Sequence, residues 1–349
     1  MCGGVGSRFW PFSRREMPKQ FLDFFGTGTS LLQATYERIL PLVPAENILF
    51  LTNHEYFGIV KSQLPDVPEE NILLEPARRN TAPCLCWAAH HIMARDPEAS
   101  IVTLPSDHLI LKEKAFHEAI AKGFEFVEGG DRLLTLGIQP SSPHTGYGYI
   151  QMGEPSDTDK ILKVKSFTEK PSEDMAKVFI ASGEFFWNAG IFLWKADSIL
   201  KAFREFAPRV AATFESDAYG TAREKEFIES KFPTAPSISI DYAVMETAPN
   251  VYVETVDLGW SDLGSWKALY DVSPRNTDGN VTQNCRLLAN DCHGTLFAVK
   301  GDKIIVADGL EDYIVADSDS ALLIYPKAKE QDLRHIVNEV KDRFGEKYI

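Results

Sequence analysis

The stretch CGGVGSRFWPFSRREMPKQF, Cys2 to Phe21, places three glycines within five positions and follows them with Arg8, Arg14, Arg15 and Lys19. A glycine-rich turn brings backbone N–H groups close to an anion because no Cβ stands in the way. Arg8 offers a planar fork for two phosphate oxygens. Lys19, beyond two prolines that fix the path, adds a mobile point charge. Such a pair suits a nucleoside triphosphate that loses pyrophosphate, and a surface turn with solvated basic side chains accounts for the same composition equally well. Two stricter phosphate loops fit poorly. No GxxxxGK[ST] spacing exists here, and a dinucleotide GxGxxG that begins at Gly4 and Gly6 meets Phe9 where its third glycine belongs.

Acids stand at two distant places. Asp107, in TLPSDH, follows an apolar run that predicts a parallel strand, so its carboxylate should emerge at the carboxyl edge, where open α/β sheets bind ligands. Magnesium coordination fits that position, although helix capping is the commoner use of aspartate. His108 beside it reads as structural or solvent-facing. Asp262, in GWSDLGSW, lies in a turn between two glycines and could give a second carboxylate to a cation that keeps waters and phosphate oxygens as its other ligands. The same stretch misses the GxSxG nucleophile elbow by Leu263, and no His/Asp pair is placed to serve Ser261. Glu169 and Lys170, in SFTEKP, would face opposite ways on a strand unless Pro171 breaks it. A carboxylate accepts paired sugar hydroxyls and a lysine neutralises a monoester phosphate; two solvated charges at an exposed strand end are the plainer reading. HTGYGYI and FFWNAGIF suit backbone-close sugar binding or ordinary strand packing.

The elements that must position these residues are legible as patterns. NILFLT, NILLEP and SIVTLPSD read as strands of a parallel sheet covered by helices. SLLQATYERIL carries a Ser30/Gln33 capping box, and TAPCLCWAAHHIMARD has Pro83 in the first turn, where a helix tolerates it. Further strands follow in RLLTLGI, ILKVKSFTE and GIFLW, with helices around 172–183, 197–230 and 239–247. SPRNTDGNVTQN punctuates the pattern as a linker would. Beyond it come short strands with Gly/Asp turns and a final charged helix from about Lys327, a small β-rich and solenoid-like domain. Leu333, Ile336, Val337 and Val340 share one side of that helix, which should pack on its own domain, with a homo-oligomer contact as the other use. The division is therefore 1–275, an α/β domain, and 276–349.

At 349 residues and 44% hydrophobic the chain can bury a sizeable core. Its net charge of -14 argues against nucleic acid and anionic lipid as partners, yet residues 1–20 hold four basic side chains against Glu16 alone, as a pocket for a small anion would. No apolar run approaches a membrane span and no leader precedes the glycines, so a cytoplasmic protein is expected. Five cysteines without CxxC spacing suggest reduced, mostly buried thiols.

Taken in order, GGVGSRFWPFSRREMPKQF, EPARRNTAP, LPSDH, HTGYGYI, FTEKP, WNAGIF and GWSDLGSW resemble the sugar-nucleotide pyrophosphorylases, and within them the bacterial mannose-1-phosphate guanylyltransferases. The resemblance covers residues 2 to about 271, and the tail is similar to the short β domain of single-function members. It implies a Rossmann-like, mixed but mostly parallel sheet flanked by helices. The implied reaction joins GTP and α-D-mannose 1-phosphate, with magnesium, into GDP-mannose and pyrophosphate. By resemblance, Gly4 and Gly6 bring the loop backbone to the triphosphate, and Arg8 and Lys19 stabilise charge on the departing pyrophosphate. Asp107 and Asp262 form the magnesium pair. Lys170 holds the sugar phosphate; Glu169, Asn188 and Gly146 match sugar-binding positions; Asn80 and Thr81 lie near the base. Relatives that use another base or hexose 1-phosphate, or that bind a sugar nucleotide without turning it over, are the alternatives. Retention of Arg8, Lys19, Asp107, Lys170 and Asp262 together favours an enzyme.

The resemblance also implies a short apolar strand just before the glycine loop, where this sequence has Met1. Without that strand two neighbours would stand unpaired and the loop unanchored. The expectation is a poorly stable or weakly active chain that an upstream apolar segment rescues.

Overall fold

Ser30 and Gln33 start the first helix as their spacing implies: the Ser30 hydroxyl accepts from the Gln33 amide (3.2 Å), and the Gln33 side chain accepts from the Ser30 amide (2.9 Å). In the computed structural model, which describes residues 1–4 and 7–349 less the side chains of Ser7, Lys300 and Asp302, this helix is α1 (Leu31–Ile39). Two short strands, β1 (Phe50–Asn53) and β2 (Ile72–Glu75), pair in parallel around α2 (Phe57–Gln63). Helix α3 (Thr81–Arg95) follows, with Pro83 inside its first turn.

The larger sheet comprises β3 (Ser100–Thr103), β5 (Leu133–Ile138), β6 (Gly148–Pro155), β7 (Ile161–Glu169), β8 (Phe185–Lys195) and β9 (Val251–Val256), in the order β3-β8-β5-β9-β7-β6. A further pairing of β6 with β8 curls its end back on itself. Between β3 and β5 come the two-residue β4 (Leu109–Ile110) and helix α4 (Glu113–Glu128). The β5–β9 ladder is parallel, while β8 runs antiparallel to β3, β5 and β6. Parallel pairing is therefore less prevalent than the strand–helix alternation implies, because β8 and β7 each run opposite to their neighbours.

Strand alternation explains why both faces are covered. In β8, Phe192 and Trp194 join one core with Leu133 and residues of α3, α6 (Ala196–Phe206) and α7 (Pro208–Phe214). Ile191 and Leu193 join the opposite core, with Leu134 and residues of α4 and α5 (Glu173–Ser182). Successive side chains point to opposite sides of a strand, so an unbroken apolar run serves two layers. Helix α8 (Glu224–Lys231) and a π-helical turn at Asp241–Met245 complete the first face.

After β9 come β10 (Trp260–Ser261) and α9 (Trp266–Val272). The C-terminal sheet is β11 (Val281–Asn290), β12 (Leu296–Asp308), β13 (Tyr313–Asp317) and β14 (Leu322–Pro326), parallel through β13 and antiparallel at β14. The first two strands are longer than the turn spacing suggests. Helix α10 (Leu333–Phe344) buries Leu333 and Val337 against this sheet, so its apolar side packs on its own unit. All five cysteines are free thiols, four of them buried. Among the described residues no helix is long and apolar enough to cross a membrane.

Candidate active site

A two-residue ladder joins the two segments that carry the aspartates. β4 and β10 pair antiparallel, Leu109 with Ser261 and Ile110 with Trp260, and the same register continued by one residue sets Asp262 opposite His108 and beside Asp107. Both aspartates line one cavity of about 540 Å3. Asp107 caps no helix, since α4 begins after Lys112. Lys19, buried in a 3-10 turn, donates to Asp107 Oδ2 (3.0 Å) and to the backbone carbonyl of Asp262. Burial works to raise the Asp107 carboxyl, but the Lys19 charge and His108 outweigh it and hold it below the usual carboxylate range.

His108 sits partly buried in the cavity wall. The Trp260 indole N–H donates to His108 Nδ1 (3.1 Å), and an indole can only donate, so Nδ1 is the acceptor and the ring proton sits on Nε2. That nitrogen lies 3.9 Å from Asp107 Oδ1. Across the cavity, Asp262 Oδ1 accepts from the Tyr147 hydroxyl (2.6 Å) and the Gly264 amide (2.9 Å). Burial, and then the Asp262 charge, push the Tyr147 phenol far above its ordinary range, so it acts there as a donor. Asp107 and Asp262 could give two oxygens to a hard divalent cation. Among the described residues no group of three or more His, Cys, Asp or Glu side chains could hold a metal alone, so phosphate oxygens and water would complete such a shell.

Part of the cavity is lined by a tightly hydrogen-bonded polar cluster. Asn188 is fixed on every side: its Oδ1 accepts from Thr135 Oγ1 (2.9 Å) and the Gly190 amide (3.1 Å), and its Nδ2 donates to Asp241 Oδ1 (2.9 Å). Glu169 and Asp241 both line this part. Burial, followed by the nearby Glu169 charge, pushes the Asp241 carboxyl up to about 6. A Cβ at Gly148 would stand 2.5 Å from Glu169 Oε2 and 3.3 Å from Asn188 Cβ, so a side chain there would displace the Glu169 carboxylate. Lys170 has φ 50°, so the strand does break before Pro171, and its ammonium pairs with Glu169 rather than pointing away. Gly146 lines the cavity and donates from its amide to His144 Nδ1 (3.1 Å).

Gly3, Gly4, Glu75, Asn80 and Thr81 also line the cavity. Buried Gln20 donates to the carbonyls of Cys2 (2.8 Å) and Gly4 (2.9 Å), tying the glycine turn to the Lys19 segment. Asn80 has φ 65° and caps α3 through Oδ1, and Thr81 Oγ1 accepts from the Ile240 amide (2.9 Å). Glu75, at the carboxyl end of β2, is pushed up to about 7 by burial. Gly6 lies outside the described residues.

Of the residues singled out from sequence, Gly4, Asn80, Thr81, Asp107, Gly146, Glu169, Asn188 and Asp262 share this one cavity. Lys19 stands behind the two aspartates, Lys170 sits half-exposed at the rim, and Arg8 is exposed, within 3.5 Å of the Gly264 carbonyl. Tyr147, Asp241, Glu75 and Gln20 went unread. Glu75 and Tyr147 lie within the quoted EPARRNTAP and HTGYGYI motifs, so a strand-end acid and a tyrosine between glycines were the available signals.

This site, at the edge of a mixed α/β sheet, accompanies a match of residues 1–279 to the nucleotidyl transferase family, and the chain belongs to that family. It is 37% identical over 351 residues to the mannose-1-phosphate guanylyltransferase of Salmonella typhimurium strain LT2, covering 98% of this chain and 72% of the relative. It is 37% identical over 346 residues to the xanthan biosynthesis protein XanB of Xanthomonas campestris pv. campestris strain B100, with coverage of 98% and 72%. A crystal structure titled mannose-1-phosphate geranyltransferase, from Thermus thermophilus, superposes with a TM-score of 0.88 at 31% identity and covers 98% of both chains.

Proposed function

We propose that the protein transfers the guanylyl group of GTP to α-D-mannose 1-phosphate, forming GDP-mannose and pyrophosphate. One observation carries the reading: two aspartates far apart in sequence line a single cavity beside one lysine, with a hydroxyl-reading end built from Asn188, Asp241 and Glu169. Relatives bearing the corresponding name support it over nearly the whole chain.

In this scheme a phosphate oxygen of the sugar phosphate attacks the α-phosphorus in line. The bond from that phosphorus to the α–β bridging oxygen breaks, and the electron pair leaves with pyrophosphate. No covalent enzyme intermediate is needed, so the protein contributes positioning and charge. The backbone at Gly4 cradles the triphosphate, a role that the resemblance extends to Gly6, and Arg8 and Lys19 take up charge on the leaving group. Lys170 exchanges Glu169 for the sugar phosphate; Glu169, Asn188 and the Gly146 backbone hold the hexose. Asp107 and Asp262 would hold magnesium, which supplies charge neutralisation on the phosphate oxygens. At the base end, Glu75 joins Asn80 and Thr81. Two adjacent carboxylate oxygens match the adjacent N1–H and N2–H donors of guanine, whereas adenine shows an acceptor at N1. The setting for such an enzyme is the cytoplasm.

A panel of four nucleoside triphosphates crossed with several hexose 1-phosphates, read as pyrophosphate release with magnesium, tests the assignment. GTP with mannose 1-phosphate should give the highest kcat/KM, and Asp107→Ala should abolish it. Release from no pair, while GDP-mannose still binds, would assign a binding protein instead.

A further inference from the structure

Two carboxylates five residues apart, Asp241 and Glu246, reach the strands that carry Asn188 and Glu169. The Glu246 amide donates to the Asp241 carbonyl (2.9 Å), the bond between residues five apart that defines a π-helical turn. In an α-helix such residues stand about 140° round from each other, whereas the wider turn stacks them on one side. Asp241 Oδ1 thereby accepts from Asn188 Nδ2 (2.9 Å), while Glu246 Oε1 accepts from the Glu169 amide (2.9 Å). Such turns are frequent at functional sites.

The Glu169 amide needs that acceptor. The Lys170 amide donates to the Tyr147 carbonyl (3.2 Å), so Gly148 and Glu169 form a pair that lies between ladder bonds, and the Glu169 amide points away from β6. On its other side, among the described residues, β9 pairs with β7 only over Ile161–Lys163. Glu246 supplies what the sheet does not. Lys170 follows directly, with φ 50°, a left-handed conformation that a lysine keeps only where its neighbours hold it. Its ammonium pairs with Glu169, whose side chain lines the cavity. The segment that carries Glu246 is itself anchored. The Ile240 amide donates to Thr81 Oγ1 (2.9 Å), the Ala82 amide donates to the Ile238 carbonyl (3.1 Å), and Ala243, Val244 and Met245 are buried in the core shared with α3.

We infer that Glu246 is a positioning residue for the sugar phosphate: by accepting from the Glu169 amide it holds the break at the end of β7, and with it the directions in which Lys170 and the Glu169 carboxylate face. This rests on the roles proposed above for Glu169 and Lys170. The acceptor oxygen is what counts rather than the charge, since a further anion beside Glu169 would repel a sugar phosphate.

Glu246 is exposed, so its replacement leaves the core intact. Glu246→Ala removes the acceptor and Glu246→Gln keeps one. Amide hydrogen exchange at Glu169, which needs no substrate, should quicken by ~10-fold in Glu246→Ala and stay near the parent value in Glu246→Gln. With the nucleotide and sugar phosphate that the parent turns over best, Glu246→Ala should raise the KM for the sugar phosphate by ~10-fold and leave kcat and the KM for the nucleotide within about two-fold. Glu246→Gln should restore the parent KM. Unchanged exchange in Glu246→Ala, faster exchange with no change in KM, a glutamine variant that behaves like alanine, or a KM for the nucleotide that rises as far as that for the sugar phosphate overturns the inference. If the parent releases pyrophosphate from no pair, the substrate assignment fails by itself and GDP-mannose binding decides. Affinity weakened ~10-fold in Glu246→Ala and recovered in Glu246→Gln then upholds the role of Glu246. Equal affinity in all three proteins overturns it, and no binding by the parent overturns both readings.

Discussion

Asp241→Asn should make the protein more stable and a worse enzyme. Asp241 sits at the start of the π-helical turn, facing Glu169, with burial as the main cause of a carboxyl pushed from 3.8 up to about 6. A carboxyl whose folded value exceeds its unfolded value holds its proton more tightly when folded. From about pH 4 to pH 6 the folded chain keeps a proton that the unfolded chain has released, so stability falls as pH rises through that window, and the whole penalty stands above it. Two units correspond to ~3 kcal/mol, and since Asp241 is not fully shielded from water, about 1–3 kcal/mol is the working range. Asparagine carries no charge to desolvate, and its oxygen still accepts from Asn188 Nδ2. Denaturant unfolding at pH 8 should therefore show Asp241→Asn gaining about 1–3 kcal/mol, with roughly half that gain left at pH 5. Pyrophosphate-release kinetics should show kcat/KM for mannose 1-phosphate falling by ~10–100-fold, the worth of a hydrogen bond to a charged group, with the KM for GTP unchanged. A variant less stable at pH 8, or a difference independent of pH, would refute the argument that the hexose pocket is maintained against the fold's own preference.

Tyr147→Phe removes the hydroxyl on Asp262 Oδ1 and should lower thermal stability by about 1.5–3 kcal/mol, while reducing the magnesium concentration for half-maximal turnover because a competitor for that oxygen is gone. An unchanged magnesium requirement would show that Tyr147 and the cation never contend. Glu75→Gln should cut the preference for GTP over ITP, which lacks the 2-amino group, by ~10-fold. In the parent protein the same preference should weaken as pH drops below about 7, where Glu75 gains its proton. Gly148→Ala, which drives a methyl into Glu169, should raise the KM for mannose 1-phosphate and leave that for GTP alone.

What could be read in advance was whatever local chemistry decides. The capping box at Ser30, the first-turn Pro83 and the break at Lys170–Pro171 are settled within a few residues, and each stands where its spacing puts it. Asp107 and Asp262 were visible because a strand end and a glycine-flanked turn expose whatever acid they carry. The direction of β8 was not legible, since FFWNAGIFLWK is equally apolar whichever way it enters and only its neighbours choose. Nor was the role of Lys19 complete: a basic residue after a glycine turn suggests an anion, whereas burial between Asp107 and the Asp262 carbonyl makes it also the link between two acids. Tyr147 and Asp241 gain meaning solely from a partner far along the chain, Asp262 in one case and Asn188 in the other.

The C-terminal unit belongs to this scaffold as well. Phe9 and Trp10, just after the glycine turn, share one buried core with Trp266 and Leu269 of α9 and with Leu296, Ile314 and Leu333 of the C-terminal unit. Trp10 Nε1 donates to Tyr348 O (2.7 Å), and Arg14 donates to Ser318 Oγ (2.7 Å). The Phe9–Trp10 segment that follows the glycine turn and the turn that carries Asp262 therefore rest on the same apolar platform, and neither can shift without disturbing aromatic packing that both use. The loop is gripped from two directions: from below by this platform, and from the sheet side through the rung at Met1 and Cys2. A cavity-forming change such as Leu296→Ala, remote from the cavity that Asp107 and Asp262 line, should loosen the first grip. On the proposed in-line transfer, the distance that matters is the one between the glycine turn and Asp262, so a change far from the cavity should still act on turnover through these supports.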